Sequence, residues 1–204
     1  MRLDYVEGPP RRYVLGGDGD GPAATIPSVT DIIGRFFPHY AGGNNSTFGR
    51  ELGSDIHRAI ELDEAGVLDV DSLDDFVLPR WDAYTAWREA NSEWYTYGVE
   101  EMVCHPTLRY AGRIDLVLRD HDHIMVVDLK SGGPEKHHRL QTAAYRNALL
   151  EWADLMTART VRRGCLYLPR NGEAKLVEHH DHELDFRAFA QLRDVYQWTE
   201  RTNQ

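Results

Sequence analysis

The stretch "GRIDLVLRDHDHIMVVDLKSG", residues 112–132, decides the reading of the whole chain. Two apolar runs flank the polar turn "DHDH" at 120–123, the pattern of an antiparallel β-hairpin. Asp115 lies inside the first run and Asp128 inside the second, and Lys130 follows two residues later. Burying unpaired charge is expensive, so these groups need compensation. With the turn at 120–123, Arg119 faces Ile124, Val117 faces Val126 and Asp115 faces Asp128. Opposed side chains of an antiparallel pair stand about 5 Å apart, and a one-residue slip would undo the match. Lys130 projects on the same face as Asp128, because strand side chains alternate.

Two converging carboxylates are hard oxygen ligands for a divalent cation such as Mg²⁺ or Mn²⁺. The cation cancels their repulsion, and a neighbouring ammonium can orient water or stabilise a charged transition state. That equipment suits metal-assisted phosphodiester hydrolysis. The competing reading is a structural ion-pair network joining both aspartates to Lys130 and Arg113.

The composition constrains the class. The chain has 204 residues, 42% hydrophobic and 27% charged, enough for one domain with a sizeable core. Lysine and arginine number 23 against 33 acidic residues, a net charge of −10. That excess weighs against binding nucleic acid by bulk electrostatics, but not against a local basic groove around a metal-filled acidic site. No apolar run is long enough for a transmembrane helix, and the N-terminus lacks a signal-peptide core. Two cysteines, Cys104 and Cys165, cannot build a disulfide framework. The expectation is a cytoplasmic, reduced protein with no membrane association.

The order of elements points to α/β or α+β with a mixed central sheet flanked by helices. Residues 1–27 read as an N-terminal hairpin and loops, with the glycine-rich stretch 16–22 as the clearest loop. Ser28 and Asp31 form a capping-box pattern before a helix. A loop at 41–46 precedes helices over 48–65 and 76–92, with Trp81, Tyr84 and Trp87 inward in the second. Strands follow at about 97–104, 110–119 and 124–130, then a long helix from 134. A strand pair around Asn171-Gly172 and a helix over 183–199 close the chain, giving a core of about 28–178 in one domain, 1–204. "HHDH" at 179–182 has the look of a metal tract but reads as a polar turn after a strand.

These residues resemble the PD-(D/E)XK nucleases, and within them the RecB-type and phage-type exonuclease branch. Gly53 and His57 in "GSDIH" match a GxxxH helix motif, and Glu100 an acid on the first core strand. Asp115 matches the family aspartate, Asp128 and Lys130 the D/E-x-K, and Gln141 and Tyr145 the Q-x-x-x-Y. The resemblance spans about residues 28–150 and implies a restriction-endonuclease-like core. It implies that His57, Asp115, Asp128 and the Leu129 backbone carbonyl bind Mg²⁺ or Mn²⁺, that Lys130 is catalytic, and that Gln141 and Tyr145 support the site and contact DNA. Some relatives carry an iron–sulfur cluster on four cysteines, which two cannot hold. Some form rings around DNA, and phage exonucleases often work with a single-strand annealing protein.

Individual residues keep alternatives. His57 is a ligand or a hydrogen-bonded interior histidine. Strand alternation turns only one of Glu100 and Glu101 toward Asp115, and Glu100 is favoured. Tyr145 is a site residue or a core aromatic beside Leu149. "EKHHR" at 135–139, with Lys136 and Arg139, is a phosphate-binding helix start or a solvated one. Arg50, Arg58, Arg109 and Arg113 are further groove candidates. The function expected is a metal-dependent DNA nuclease acting on linear DNA in phage or bacterial recombination and repair. The alternatives are a phosphoesterase with another substrate and a catalytically silent DNA-binding or assembly protein.

Overall fold

The computed structural model describes residues 2–6, 12–16, 23–37, 47–153 and 160–202. The loops read at 17–22 and 41–46 lie outside the described residues. Strands β1 (Leu3–Val6), β2 (Arg12–Leu15) and β3 (Ala24–Ile26) form a small antiparallel sheet. Helix α1 (Val29–Phe36) opens with the expected capping box: the Ser28 hydroxyl accepts from the Asp31 amide at 2.9 Å, and the Asp31 carboxylate accepts from the Ser28 amide at 3.1 Å. Helices α2 (Thr47–Glu64) and α3 (Leu78–Ala90) follow, with a short 3₁₀ turn at Val70–Ser72 between them.

The main sheet has five strands in the order β4-β5-β6-β7-β8. Strands β4 (Tyr95–His105), β5 (Tyr110–Arg119) and β6 (His123–Lys130) form an antiparallel meander. Helix α4 (Lys136–Trp152) then crosses to β7 (Thr160–Tyr167), which runs parallel to β6. Strand β8 (Lys175–Glu178) returns antiparallel, and α5 (His182–Thr202) closes the chain. This is the mixed sheet flanked by helices that the order of elements predicts.

Both faces of the sheet are covered, which explains why β5 and β6 read as near-continuous apolar runs rather than alternating ones. On one face Val117 and Val126 pack under Ile33 of α1, Ala148 of α4 and Phe189 of α5. On the other, Leu116, Leu118 and Val127 pack against Ile56 and Ile60 of α2 and Tyr84 of α3. Of the three aromatic residues read as inward on α3, Tyr84 is fully buried, and Trp81 and Trp87 are half-buried.

Arg163 of β7 lies fully buried beneath α4 and α5. Its guanidinium donates to Asp185 at 2.5 Å, the Arg139 carbonyl at 2.8 Å, Thr142 Oγ1 at 2.9 Å and His182 Nδ1 at 3.0 Å. The "HHDH" turn belongs to this network: His179 pairs with Thr142 Oγ1 at 2.9 Å. Burial works to raise the Asp185 carboxyl, but Arg163 and Arg139 outweigh it and hold it below the usual carboxylate range.

Breaking a buried ion pair on one side costs about 3–5 kcal/mol, because the remaining charge is left uncompensated. Asp185→Asn should therefore lower unfolding free energy by about 3 kcal/mol at neutral pH. Because its folded value is depressed, Asp185 contributes this stability above its unfolded value of about 3.9. The contribution disappears as pH falls through the lower folded value. Urea unfolding of both proteins across this range should show a gap that narrows only below about pH 4.

Candidate active site

The predicted β5–β6 register forms as far as it can. Arg119 pairs with Ile124 and Val117 with Val126, but the ladder ends at Leu116–Val127, one step before Asp115 would meet Asp128. The Asp115 carboxylate instead accepts the Leu129 amide at 2.6 Å. The expected direct Asp115–Asp128 backbone pairing is thus corrected, for a physical reason: opposed carboxylates repel, and a backbone N–H is a better partner. On the other side, Val99 pairs with Leu116 and Glu101 with Ile114, and the Glu100–Asp115 step between them is skipped. Asp115 thus sits at a break in both ladders. Side-chain alternation slips there too, since Ile114 and Val117 pack into the same layer.

Glu100 has φ 52°, the left-handed region, costing about 1–3 kcal/mol for a non-glycine residue. Glu100, not Glu101, joins His57 and Asp115, and one ligand atom from each of the three lies within 4.8 Å of the others. Arg113 donates to Glu100 at 2.7 Å and rests over the Tyr5 ring at 5.3 Å.

His57 reaches this point from α2. Ile56, Ala59 and Ile60 of that helix are buried against the sheet, while Arg50, Gly53, His57 and Glu61 line the open side. His57 Nδ1 is 3.4 Å from Asp115, and Nε2 is 3.2 Å from the Leu129 carbonyl oxygen. Burial disfavours its charged form, but Asp115 outweighs that and pushes it up to about 9. For Asp115 burial acts upward, and His57, Lys130 and the Leu129 amide reverse it, so the carboxyl stays below its usual value. Glu100 is raised by burial and by Asp115, against Arg113 and His57.

Asp128 and Lys130 project toward α4. The Lys130 ammonium lies 2.6 Å from Asp128 and donates to Gln141 Oε1 at 3.1 Å, and the Gln141 amide donates to the Tyr145 hydroxyl at 3.1 Å. Asp128 is 1% exposed, and burial pushes it up to about 6 against the pull of Lys130. Burial works to lower Lys130, but Asp128 and Asp115 overcome it and raise the ammonium above its usual value. Gln141 and Tyr145 are therefore buried and face the cleft, with Tyr145 also in the core beside Leu149.

The side chains of His57, Glu100, Arg113, Asp115, Asp128, Lys130, Gln141 and Tyr145 all line one cleft of about 780 Å³ between α1, α2, α4 and the sheet. Lys136 and Arg139 are not among its lining residues. Arg139 is held instead by Asp181 at 2.6 Å and Asp185 at 3.1 Å. His137 and His138 are buried, and burial lowers both, His138 to about 3. Burial thus disfavours the charged form of both histidines and Asp181 and Asp185 hold Arg139, which leaves Lys136 as the exposed cation of "EKHHR". Arg50, Arg58 and Arg113 are the arginines of the cleft wall. Arg58 is paired with Glu61 at 2.6 Å, whereas the Arg50 guanidinium is exposed and has no partner among the described residues.

The sequence reading missed four contributors. Tyr5 and Tyr13 of the small N-terminal sheet line the cleft, and no local pattern indicates that. Cys165, beside Asp128 in the parallel β6–β7 register, places its thiol 3.8 Å from that carboxylate. Gly112 had a signal, as a glycine inside an apolar strand. A Cβ there would stand 2.5 Å from Cε1 of Tyr145.

The chain matches the family model of the PD-(D/E)XK nuclease superfamily over residues 69–202. The match includes Glu100, Asp115, Asp128, Lys130, Gln141 and Tyr145, while His57 and Gly53 precede it. No curated protein matches the chain.

Gly112→Ala should displace the Tyr145 ring and destabilise the protein by about 1–3 kcal/mol through overpacking. Thermal unfolding checks the stability. Near-ultraviolet circular dichroism should change as Tyr145 moves.

Proposed function

The chain belongs to the PD-(D/E)XK nuclease superfamily, a family of metal-dependent nucleases, and from that premise we propose that it is a Mg²⁺- or Mn²⁺-dependent deoxyribonuclease acting from the ends of linear DNA. The observation that carries the reading is the convergence of His57, Glu100 and Asp115 within 4.8 Å, beside the Lys130–Asp128 pair at 2.6 Å. The exonuclease part rests on the GxxxH motif of Gly53 and His57 and the Q-x-x-x-Y motif of Gln141 and Tyr145. In this reading the setting is phage or bacterial recombination and repair, with a single-strand annealing protein as partner.

The donor set fits the cation. Two carboxylates and a carbonyl are hard oxygen donors, and an imidazole suits the borderline members of this group. In place of the expected His57, Asp115, Asp128 and Leu129 carbonyl, the ion would be held by His57, Glu100, Asp115 and the Leu129 carbonyl, because Asp128 is engaged by Lys130 at 2.6 Å and lines the same cleft. When bound, a divalent ion supplies Lewis acidity toward a phosphoryl oxygen. The protein's own groups do the rest. Lys130, kept charged by Asp128 and aimed by Gln141, stabilises negative charge developing on the phosphate and orients the attacking water. Tyr145 holds Gln141, so it positions Lys130 at one remove. Arg50, exposed on the rim, receives a flanking phosphate.

End-labelled linear duplex and closed circular DNA, each with Mg²⁺, Mn²⁺ or EDTA, test the reading. Linear DNA should be degraded with either metal, the circle spared and EDTA inhibitory. Equal attack on the circle would remove the end requirement, and inactivity with every metal would remove the nuclease reading. Lys130→Met should reduce the cleavage step by about 10²–10⁴-fold, the range for a lost transition-state group.

Gly53 gives a second check. Among the described residues a Cβ there would meet only Ser131 Oγ, at 3.9 Å, so none of them requires glycine. Gly53→Ala should stabilise α2 by about 1 kcal/mol, the usual gain for a helix interior. If α2 receives the DNA backbone, the same change should raise KM. A stabilised variant with unchanged KM would move the DNA away from this helix.

A further inference from the structure

A second cleft, of about 850 Å³, lies on the far side of α1. Arg12 of β2, Arg35 of α1, Arg109 of the β4–β5 turn, and Arg193 and Arg201 of α5 all line it. Two carboxylates, Asp31 and Glu200, line it with them. Asp31 is already engaged in the α1 capping box. In a chain of net charge −10, five arginines on one cleft are a pronounced local reversal of sign. Four elements far apart in sequence deliver them, so the cluster is a product of the fold rather than of a basic run.

Among the described residues, four of these five arginines are left without a partner. Arg193 pairs with Asp194 at 2.9 Å. The guanidiniums of Arg12, Arg35, Arg109 and Arg201 have no hydrogen-bond or ion-pair partner among the described residues, and all four residues are exposed. Arg109 has φ 54°, a left-handed conformation seldom adopted by a side-chain-bearing residue. Among the described residues five arginines face two carboxylates in this lining, an excess of positive charge that an anion in the cleft would offset.

The two clefts are contiguous. Thr30 and Asp31 of α1 line both, so α1 is the shared wall. A strand lying in the catalytic cleft and crossing α1 would bring its next phosphates among the arginines. Guanidinium is the side chain best matched to phosphate, through paired N–H donors in a fixed fork. We propose that this arginine cleft is a second phosphate-backbone site, holding the part of the DNA strand that continues from the active site across α1. The proposal rests on the nuclease reading above. It resolves how an acidic protein grips a polyanion: the cations form a track on one side of the active site.

The test uses the whole chain with Arg35, Arg109 and Arg201 all changed to glutamine. None of the three lines the catalytic cleft. Binding of a long single strand is measured in EDTA across a salt series, and metal-dependent hydrolysis of a dinucleotide is measured separately. The long strand should bind about tenfold or more weakly, matching loss of charge-assisted hydrogen bonds. Three lost phosphate contacts should reduce the slope of log affinity against log salt by about 2. Hydrolysis of the dinucleotide, too short to cross α1, should stay at the wild-type rate. Unchanged long-strand affinity and slope in a variant that still cleaves would overturn the arginine track alone. A wild-type protein without metal-dependent nuclease activity would overturn the reading beneath it. A variant that loses affinity for polyglutamate but not for DNA would assign the cleft to an acidic polypeptide and overturn the proposal. Single Arg35→Gln and Arg201→Gln variants, each expected to give part of the loss, supply the same readout if the triple variant unfolds.

Discussion

The hydrogen bond from the Leu129 amide to the Asp115 carboxylate, at 2.6 Å, is the constraint on which the site depends. It replaces the next rung of the β5–β6 ladder, so the two strands part where two carboxylates would otherwise oppose each other. The parting leaves the Leu129 carbonyl facing His57 rather than a neighbouring strand. It leaves Asp128 to hold Lys130, and it sets Asp115 within reach of His57 and Glu100. A buried carboxylate is tolerated there because an amide, an imidazolium and an ammonium all favour its charged form.

The same local compensation runs through the rest of the molecule. Arg163, fully buried, is satisfied by a carboxylate, a hydroxyl, a carbonyl and an imidazole, and so ties β7 to α4 and α5. Glu64 at the end of α2 accepts from Tyr84, Arg88 and Thr96, which fixes α2 to α3 and β4. These two polar clamps sit on opposite faces of the sheet. Together they hold the helices that carry His57 on one side and Gln141 on the other, so the site is assembled from rigid elements.

Net charge is a poor guide to such a molecule. An excess of ten negative charges describes the whole surface, yet the field near the site is set by a few groups within several ångströms. The acidic residues that matter are matched singly by Lys130, His57 and Arg113, and the two clefts beside α1 hold Arg50, Arg12, Arg35, Arg109 and Arg201 without partners among the described residues.

By itself the sequence determined the features governed by short-range rules. The β5–β6 register follows from a turn and two apolar runs, and the α1 capping box from residues three apart. The shared face of Gln141 and Tyr145 follows from helical spacing. Asp115, Asp128 and Lys130 were legible as charges inside apolar strands, although the alternation that would oppose the two aspartates slips at Asp115. Only the tertiary structure decided what those groups meet. The basic helix start suggests Arg139 as a phosphate contact, but Asp181 and Asp185, 42 and 46 residues away, take its guanidinium. The φ of Glu100, the Tyr5 and Tyr13 wall and the arginine cleft are equally invisible in any local window. Hydrogen bonds and ion pairs act over a few ångströms of space whatever the distance along the chain, so their partners exist only once the layers have packed.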